Sequence, residues 1–172
     1  SERLALISEE LIAHNARLLH PVDELGLVHF VTPGEYPTYA GTIGRAARTT
    51  PTICVHTFPL PLEMWAKKMR TGAHVVTPAI RQVPPQCWSP HIKCRSRMHY
   101  YLAEREARLV DDEAVALLLD LDGNIAETNA ANFMIVEKGS IAAPTTDNTL
   151  PGISRAMMIE LAKQLGVPFF ER

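Results

Sequence analysis

The chain has 172 residues, with 17 Lys+Arg against 19 Asp+Glu and a formal net charge of -2. That length holds one domain or a pair of small ones, and a chain of this size buries roughly 70% of its unfolded surface without covalent staples. A hydrophobic content of 47% with 21% charged residues excludes a disordered or collagen-like chain, and the near-neutral balance makes no electrostatic case for nucleic acid or anionic membrane as the main partner.

Leu4, Ile7, Leu11, Ile12 and Leu18 recur at mostly helical spacing, with Ser8, Glu9 and Glu10 opposite, so residues 3–19 read as one amphipathic helix closed by Pro21. Leu25 to Thr32 and Thr50 to Phe58 are β-branched or aromatic runs bounded by Pro and Gly, which predicts two strands. The Gly-, Thr- and Arg-rich stretch Pro33 to Thr49 between them reads as a loop. A short helical turn over Leu60 to Met69 and a third strand over His74 to Ile80 follow. Pro84, Pro85 and Pro90 then mark residues 82–90 as a linker.

Beyond it, Cys94 to Arg108 has the composition of a helix. Ala114 to Leu121 reads as a buried strand that turns at Asp122-Gly123 into Ile125 to Thr128. A second hairpin joins Asn132–Val136 to Ser140–Ala143 around Lys138-Gly139, and Leu150-Pro151-Gly152 leads into a last helix, Ser154 to Leu165. The expected fold class is α+β in two lobes: an α/β lobe over 1–81, a Pro-rich linker over 82–90, and a β-hairpin-rich lobe over 91–172. Ligand sites favour clefts at such junctions. The longest uncharged stretch, Thr49 to Leu62, is broken by three prolines, so nothing reads as a membrane span. Residues 1–17 carry acids and bases throughout, unlike a secretory signal. Three cysteines suggest reduced thiols and a cytoplasmic home.

Several constellations could carry chemistry, each with a plain alternative. Lys93 follows the linker, where partial desolvation would favour the neutral, nucleophilic amine, although most lysines are simply solvated. Glu127 closes a hairpin strand ahead of small and amide residues, either as a fixed counter-charge or as an exposed strand-end acid. Gly152, Ile153 and Ser154 open a helix whose free N–H groups would cradle a phosphate, or Ser154 is an ordinary N-cap. Cys87, His91, Cys94 and His99 lie close together, but their spacing matches no common zinc frame, and no metal is expected. The basic series His91, Lys93, Arg95, Arg97 and His99 could attract a phosphate, but with Glu104 and Glu106 interrupting it reads as spread around a helix.

The order and spacing of these segments are more specific than any one of them. Ile92-Lys93, Tyr101-Leu102-Ala103-x-x-Glu106-Ala107, Asp122-Gly123-Asn124-Ile125-Ala126-Glu127-Thr128-x-x-Ala131-Asn132-Phe133 and Leu150-Pro151-Gly152-Ile153-Ser154-Arg155 together resemble the class IV, fold type IV, pyridoxal-phosphate aminotransferases. That family includes branched-chain and D-amino acid aminotransferases and aminodeoxychorismate lyase. The match is densest from Ile92 to about Leu165, with weaker similarity over Gly26–Gly34 and His56–Pro59.

The resemblance implies pyridoxal phosphate as cofactor, held by Lys93 through a Schiff base, with Lys93 also moving the proton at the substrate Cα. It implies Glu127 at the pyridine nitrogen, Ile153 and Ser154 at the phosphate, and Asn132 beside the cofactor. His56 matches a histidine near the substrate carboxylate in D-amino-acid enzymes. Thr32-Pro33-Gly34 stands where members commonly show Thr-Arg-Gly, which leaves Arg45, Arg48 or a partner subunit to bind that carboxylate. Branched-chain members often carry a Tyr where this chain has Met98, with Tyr100 or Tyr101 as substitutes. The implied activity is amino-group exchange between an amino acid and a 2-oxo acid by a cytoplasmic homodimer. A lyase on the same scaffold, or a scaffold remnant without turnover, is the alternative. The resemblance also implies that family sequence belongs before Ser1 and after Arg172, so that 1–81 is the latter part of the smaller domain and 91–172 the first part of the larger one.

Overall fold

The computed structural model describes residues 2–36, 38 and 50–172, and its contacts divide the chain into two units, Ser1–Thr71 and Gly72–Arg172. Arg45 and Arg48, with most of the stretch 33–49 read as a loop, lie outside the described residues.

In the first unit, helix α1 (Glu2–Asn15) runs into a 3-10 turn (Ala16–Leu18). Strands β1 (Leu25–Thr32) and β2 (Thr52–Pro59) then pair antiparallel along their full length, from Leu25 opposite Pro59 to Thr32 opposite Thr52. Polar contacts fasten α1 to this ribbon. Ser8 Oγ donates to Leu4 O at 2.7 Å and lies 2.8 Å from His29 Nε2, and Asn15 Nδ2 donates to Thr57 Oγ1 at 2.8 Å. Gly26 serves close approach, since a Cβ there would fall 2.6 Å from Phe58 Cζ and 2.9 Å from Leu60 Cδ2. Helix α2 (Leu62–Thr71) follows Pro61, a full helix where a single turn was expected.

The second unit is built on strand β4 (Val115–Leu119). It pairs parallel with β3 (Val75–Val76) and antiparallel with β5 (Ile125–Thr128). The expected third strand, His74 to Ile80, keeps only two residues because Pro78 has no N–H to give a ladder. The chain beyond is tethered by other means: Ala79 N–H donates to Glu106 Oε1 at 2.7 Å, and Gln82 N–H donates to Leu119 O on β4 at 2.9 Å. These bonds set the Pro-rich stretch 82–90, the linker of the sequence reading, within the second unit.

Helix α3 (Met98–Ala107) lies on β4. Its fully buried Ala103 and Ala107, one turn apart, pack with Ala114, Ala116 and Leu118, flanked by Val76, Ile80 and Tyr100. Small side chains let helix and strand approach closely. The helix begins four residues later than composition suggested, leaving Cys94–Arg97 irregular.

The Asp122-Gly123 turn between β4 and β5 is tied by Asp120 Oδ1, which accepts from Asp122 N–H at 3.0 Å and Asn124 N–H at 2.8 Å. Strands β6 (Ile135–Glu137) and β7 (Ser140–Ala143) form the second hairpin. Lys138 (φ 49) and Gly139 (φ 78) are both left-handed, as a two-residue turn of type I′ demands. Helix α4 (Ile153–Gln164) connects to β8 (Phe169–Glu171), which pairs parallel with β7. Buried Arg155 pins this unit by donating to Pro144 O at 3.3 Å and pairing with Glu171. Among the described residues no helix is long and apolar enough to cross a membrane.

Leu118 is wholly buried at the centre of the α3–β4 contact. Leu118→Ala should therefore lower the stability of the protein by about 2–5 kcal/mol, read from chemical unfolding curves. A loss well under 1 kcal/mol would show that this contact is not the core of the unit.

Candidate active site

Glu127 stands at the centre of the second unit's chemistry. It occupies an inward position on β5 and is only 6% exposed. A carboxylate so deeply buried needs partners, and four donors meet it. Gln82 Nε2 and Tyr100 OH each donate to Oε1 at 2.8 Å. Leu150 N–H and Asn132 Nδ2 reach Oε2 at 3.2 and 3.3 Å. Burial pushes the Glu127 carboxyl above its ordinary range, while bonds from Tyr100, Leu150 N–H and Gln82, and the positive charge of Lys93, pull it back. Burial likewise drives the Tyr100 phenol up to about 12, so at neutral pH it remains an O–H donor.

These groups line a cavity of about 700 Å³ together with Lys93, Arg97, Gly152, Ile153 and Ser154. Lys93 is exposed on the irregular segment before α3, not desolvated, yet close enough to bias Glu127 electrostatically. Asn132 sits in a tight turn after β5 closed by Thr128 N–H to Ala131 O at 3.0 Å, and pairs across it with Glu127. This turn stands where the sequence predicted the start of a strand. The Asn132 amide also donates to Leu150 O at 2.8 Å, linking the turn to the entrance of α4.

At that entrance the N-cap is Gly152, with no side-chain cap, so Ser154 is not the N-cap residue considered from sequence. The first-turn N–H groups of Ile153 and Ser154 thus have no intrahelical acceptor, and both residues are exposed. A Cβ on Gly152 would collide with Asn132 Oδ1. The glycine lets the helix start approach the Asn132 turn.

Lys93, Glu127, Asn132, Ile153 and Ser154, singled out from sequence, thus line one cavity. His56 belongs to the first unit, on β2, where its ring lies 6.3 Å from those of Phe30 and Phe58. Of the two tyrosines weighed against Met98, Tyr100 reaches Glu127, whereas Tyr101 is exposed. The basic series does not spread around a helix: His91, Lys93 and Arg97 precede α3, and with His99 they line the cavity. Arg97 donates to Asn129 O and lies over the Tyr100 ring, 4.8 Å from its centroid. His91 Nε2 lies 3.2 Å from Thr146 O and His99 packs on Tyr100, and among the described residues no group of three His, Cys, Asp or Glu could hold a metal ion. Gln82 and Arg97 escaped sequence reasoning as partners of Tyr100 and Glu127. Gln82 is a lone amide in a Pro-rich stretch, a context that carries no chemical signal.

An α+β unit that sets a lysine, a buried carboxylate and an uncapped helix start around one cavity has close parallels among known proteins. The family model for class IV amino-transferases matches residues 14–172, and the chain belongs to that family. A probable branched-chain-amino-acid aminotransferase of Thermotoga maritima is 35% identical over 105 residues, which cover 60% of this chain and 37% of that protein. A putative branched-chain-amino-acid aminotransferase of Methanocaldococcus jannaschii is 30% identical over 123 residues, covering 70% and 41%. The Escherichia coli branched-chain amino acid aminotransferase superposes with a TM-score of 0.80 at 22% identity, covering 99% of this chain and 54% of that one. The branched-chain amino acid aminotransferase of Thermobaculum terrenum, solved in its PLP-bound holo form, gives 0.69 at 22% identity, covering 86% and 47%. The fold is therefore that of the fold type IV aminotransferases, and the chain spans about half the length of these solved structures and less of the curated relatives.

The raised position of Glu127 has a consequence for stability. Between the ordinary glutamate pKa and the raised native value, the native state keeps a proton that the unfolded chain has already released, so the contribution of this residue is full below the ordinary glutamate pKa. It is lost as pH rises through the raised native value. Glu127→Gln should accordingly show a shallower fall in unfolding midpoint across that window than the unaltered protein. Identical slopes would show that Glu127 does not titrate there.

Proposed function

We propose that this chain carries the cofactor-binding part of a pyridoxal-phosphate aminotransferase that exchanges an amino group between an amino acid and a 2-oxo acid. The observation that carries the reading is the convergence of Lys93, Glu127 and the α4 start on one cavity. The donor set fits the group: an acceptor-only carboxylate for a ring N–H, open helix N–H groups for a phosphate, and a glycine where a side chain would fill the space between them.

When bound, pyridoxal phosphate supplies an aldehyde that captures amines and a ring that takes up the electron pair released at the substrate Cα. In this reading Lys93 Nζ holds the cofactor between turnovers and moves the proton at the substrate Cα, and its exposure leaves it free to swing. Glu127, surrounded by donors, would accept a hydrogen bond from the protonated ring nitrogen and so hold the proton there. Ile153 and Ser154 N–H groups, the Ser154 hydroxyl and the positive end of α4 orient the phosphate. Asn132 fixes the distance between Glu127 and that helix start. His56 and Arg45 are proposed for the substrate carboxylate on the resemblance alone. A homodimer and a cytoplasmic location belong to the same reading, and the three free cysteines Cys54, Cys87 and Cys94 are in keeping with a reducing compartment.

Mixing the protein with pyridoxal phosphate should produce an absorbance band near the visible edge that is lost in Lys93→Ala. Donor-dependent conversion of a 2-oxo acid should fall about 10²- to 10⁴-fold in that variant. No band in the folded, unaltered protein overturns the reading. Release of pyruvate without a co-substrate would replace transfer with elimination.

A further inference from the structure

Glu127 accounts for the carboxylate at the ring nitrogen, but not for the buried amide that touches it. Gln82 is itself only 6% exposed, and its Nε2 donates both to Glu127 Oε1 at 2.8 Å and to Tyr100 OH at 3.1 Å. Its own Oε1 is buried and, among the described residues, has no hydrogen-bond partner. An unsatisfied buried carbonyl is costly, and fixing the amide with its donor inward is the one arrangement that suits an ionised neighbour. Turned the other way, the amide oxygen would face a carboxylate that has no proton to offer.

The backbone holds the residue in place. Gln82 N–H donates to Leu119 O at 2.9 Å on β4, the strand that pairs with the one carrying Glu127. The side chain therefore reaches Glu127 from a main-chain anchor on the same sheet. The bonds to the carboxylate are also unequal. Oε1 takes two bonds of 2.8 Å, whereas Oε2 takes bonds of 3.2 and 3.3 Å, the weaker pair.

We propose that Gln82 is a positioning residue for the ring-nitrogen pair: with Tyr100 it fastens Glu127 Oε1 and keeps the group ionised, leaving Oε2 as the oxygen offered to the cofactor ring. This rests on the proposed function and adds to it a residue that never contacts the reacting atoms. A residue that only fills space would be replaceable by any side chain of similar length.

Infrared titration of the full protein without cofactor provides the test, with the Glu127 carboxyl band assigned by its loss in Glu127→Gln. Gln82→Met keeps the length and removes the donor, and should raise the Glu127 midpoint by about one pH unit. Gln82→Glu keeps the shape and replaces a donor with an acceptor, and should raise it further. Tyr100→Phe, which removes the other Oε1 donor, should also raise it and guards against a Gln82 variant that fails to fold. With ¹⁵N-labelled pyridoxal phosphate bound, the protonated share of the ring nitrogen should fall in the order native, Gln82→Met, Gln82→Glu.

A Glu127 midpoint and ring-nitrogen signal in Gln82→Met equal to those of the native protein would overturn the assignment while leaving the proposed function standing. Failure of the native protein to take up pyridoxal phosphate would overturn both.

Discussion

The second unit is organised by the requirement that one buried carboxylate be satisfied. Glu127 is taken out of water on β5, and a lone charge there would cost several kcal/mol. Its four donors come from four separate stretches: the irregular run after β3, helix α3, the turn after β5, and the main chain before α4. Each must arrive at the same point for the fold to be tolerable. The cavity is the space left once they have done so, which is why the elements that build the core also build the site.

Asn132 shows how tightly these demands are coupled. Its amide serves Glu127 with one hydrogen and the carbonyl of Leu150 with the other, and its oxygen occupies the space a side chain on Gly152 would need. The carboxylate and the open helix start are thereby held at a fixed separation by a single short side chain. Gly152 cannot cap the helix it begins, so the amide groups of the first turn stay available. A serine there would satisfy one of them and close part of the cradle.

Much of this was legible in residue order, and the gaps have physical causes. Asp122-Gly123 and Lys138-Gly139 name their hairpins because tight turns demand left-handed backbone that few residues adopt. The α3 composition was read correctly, but helix propensity carries no information on where the first turn closes, and Cys94–Arg97 stays irregular. Four members of the basic series, His91, Lys93, Arg97 and His99, consequently line the cavity. Val75–Val76 was extended too far because apolar periodicity does not register the missing N–H of Pro78. Gln82 was invisible for a different reason: an amide has no titration, no motif and no periodicity, and only the folded chain reveals that it meets a charge.

The contrast between Lys93 and Glu127 follows from what each would have to do. A group that keeps one proton on one ring atom gains from rigidity, and Glu127 is embedded in a sheet with both carboxylate oxygens engaged. A group that must release a bound carbonyl and then reach the Cα of a substrate gains from freedom, and Lys93 is an exposed side chain on an irregular segment held by short local bonds such as Cys94 N–H to Ile92 O at 2.7 Å. Irregular backbone between the Pro-rich stretch and α3 is therefore no defect of a helix that starts late. It allows a flexible amine to face a carboxylate fixed on the sheet. Extending α3 back to Cys94 would put Lys93 at the helix start, on the regular backbone of a first turn in place of the irregular one it now has.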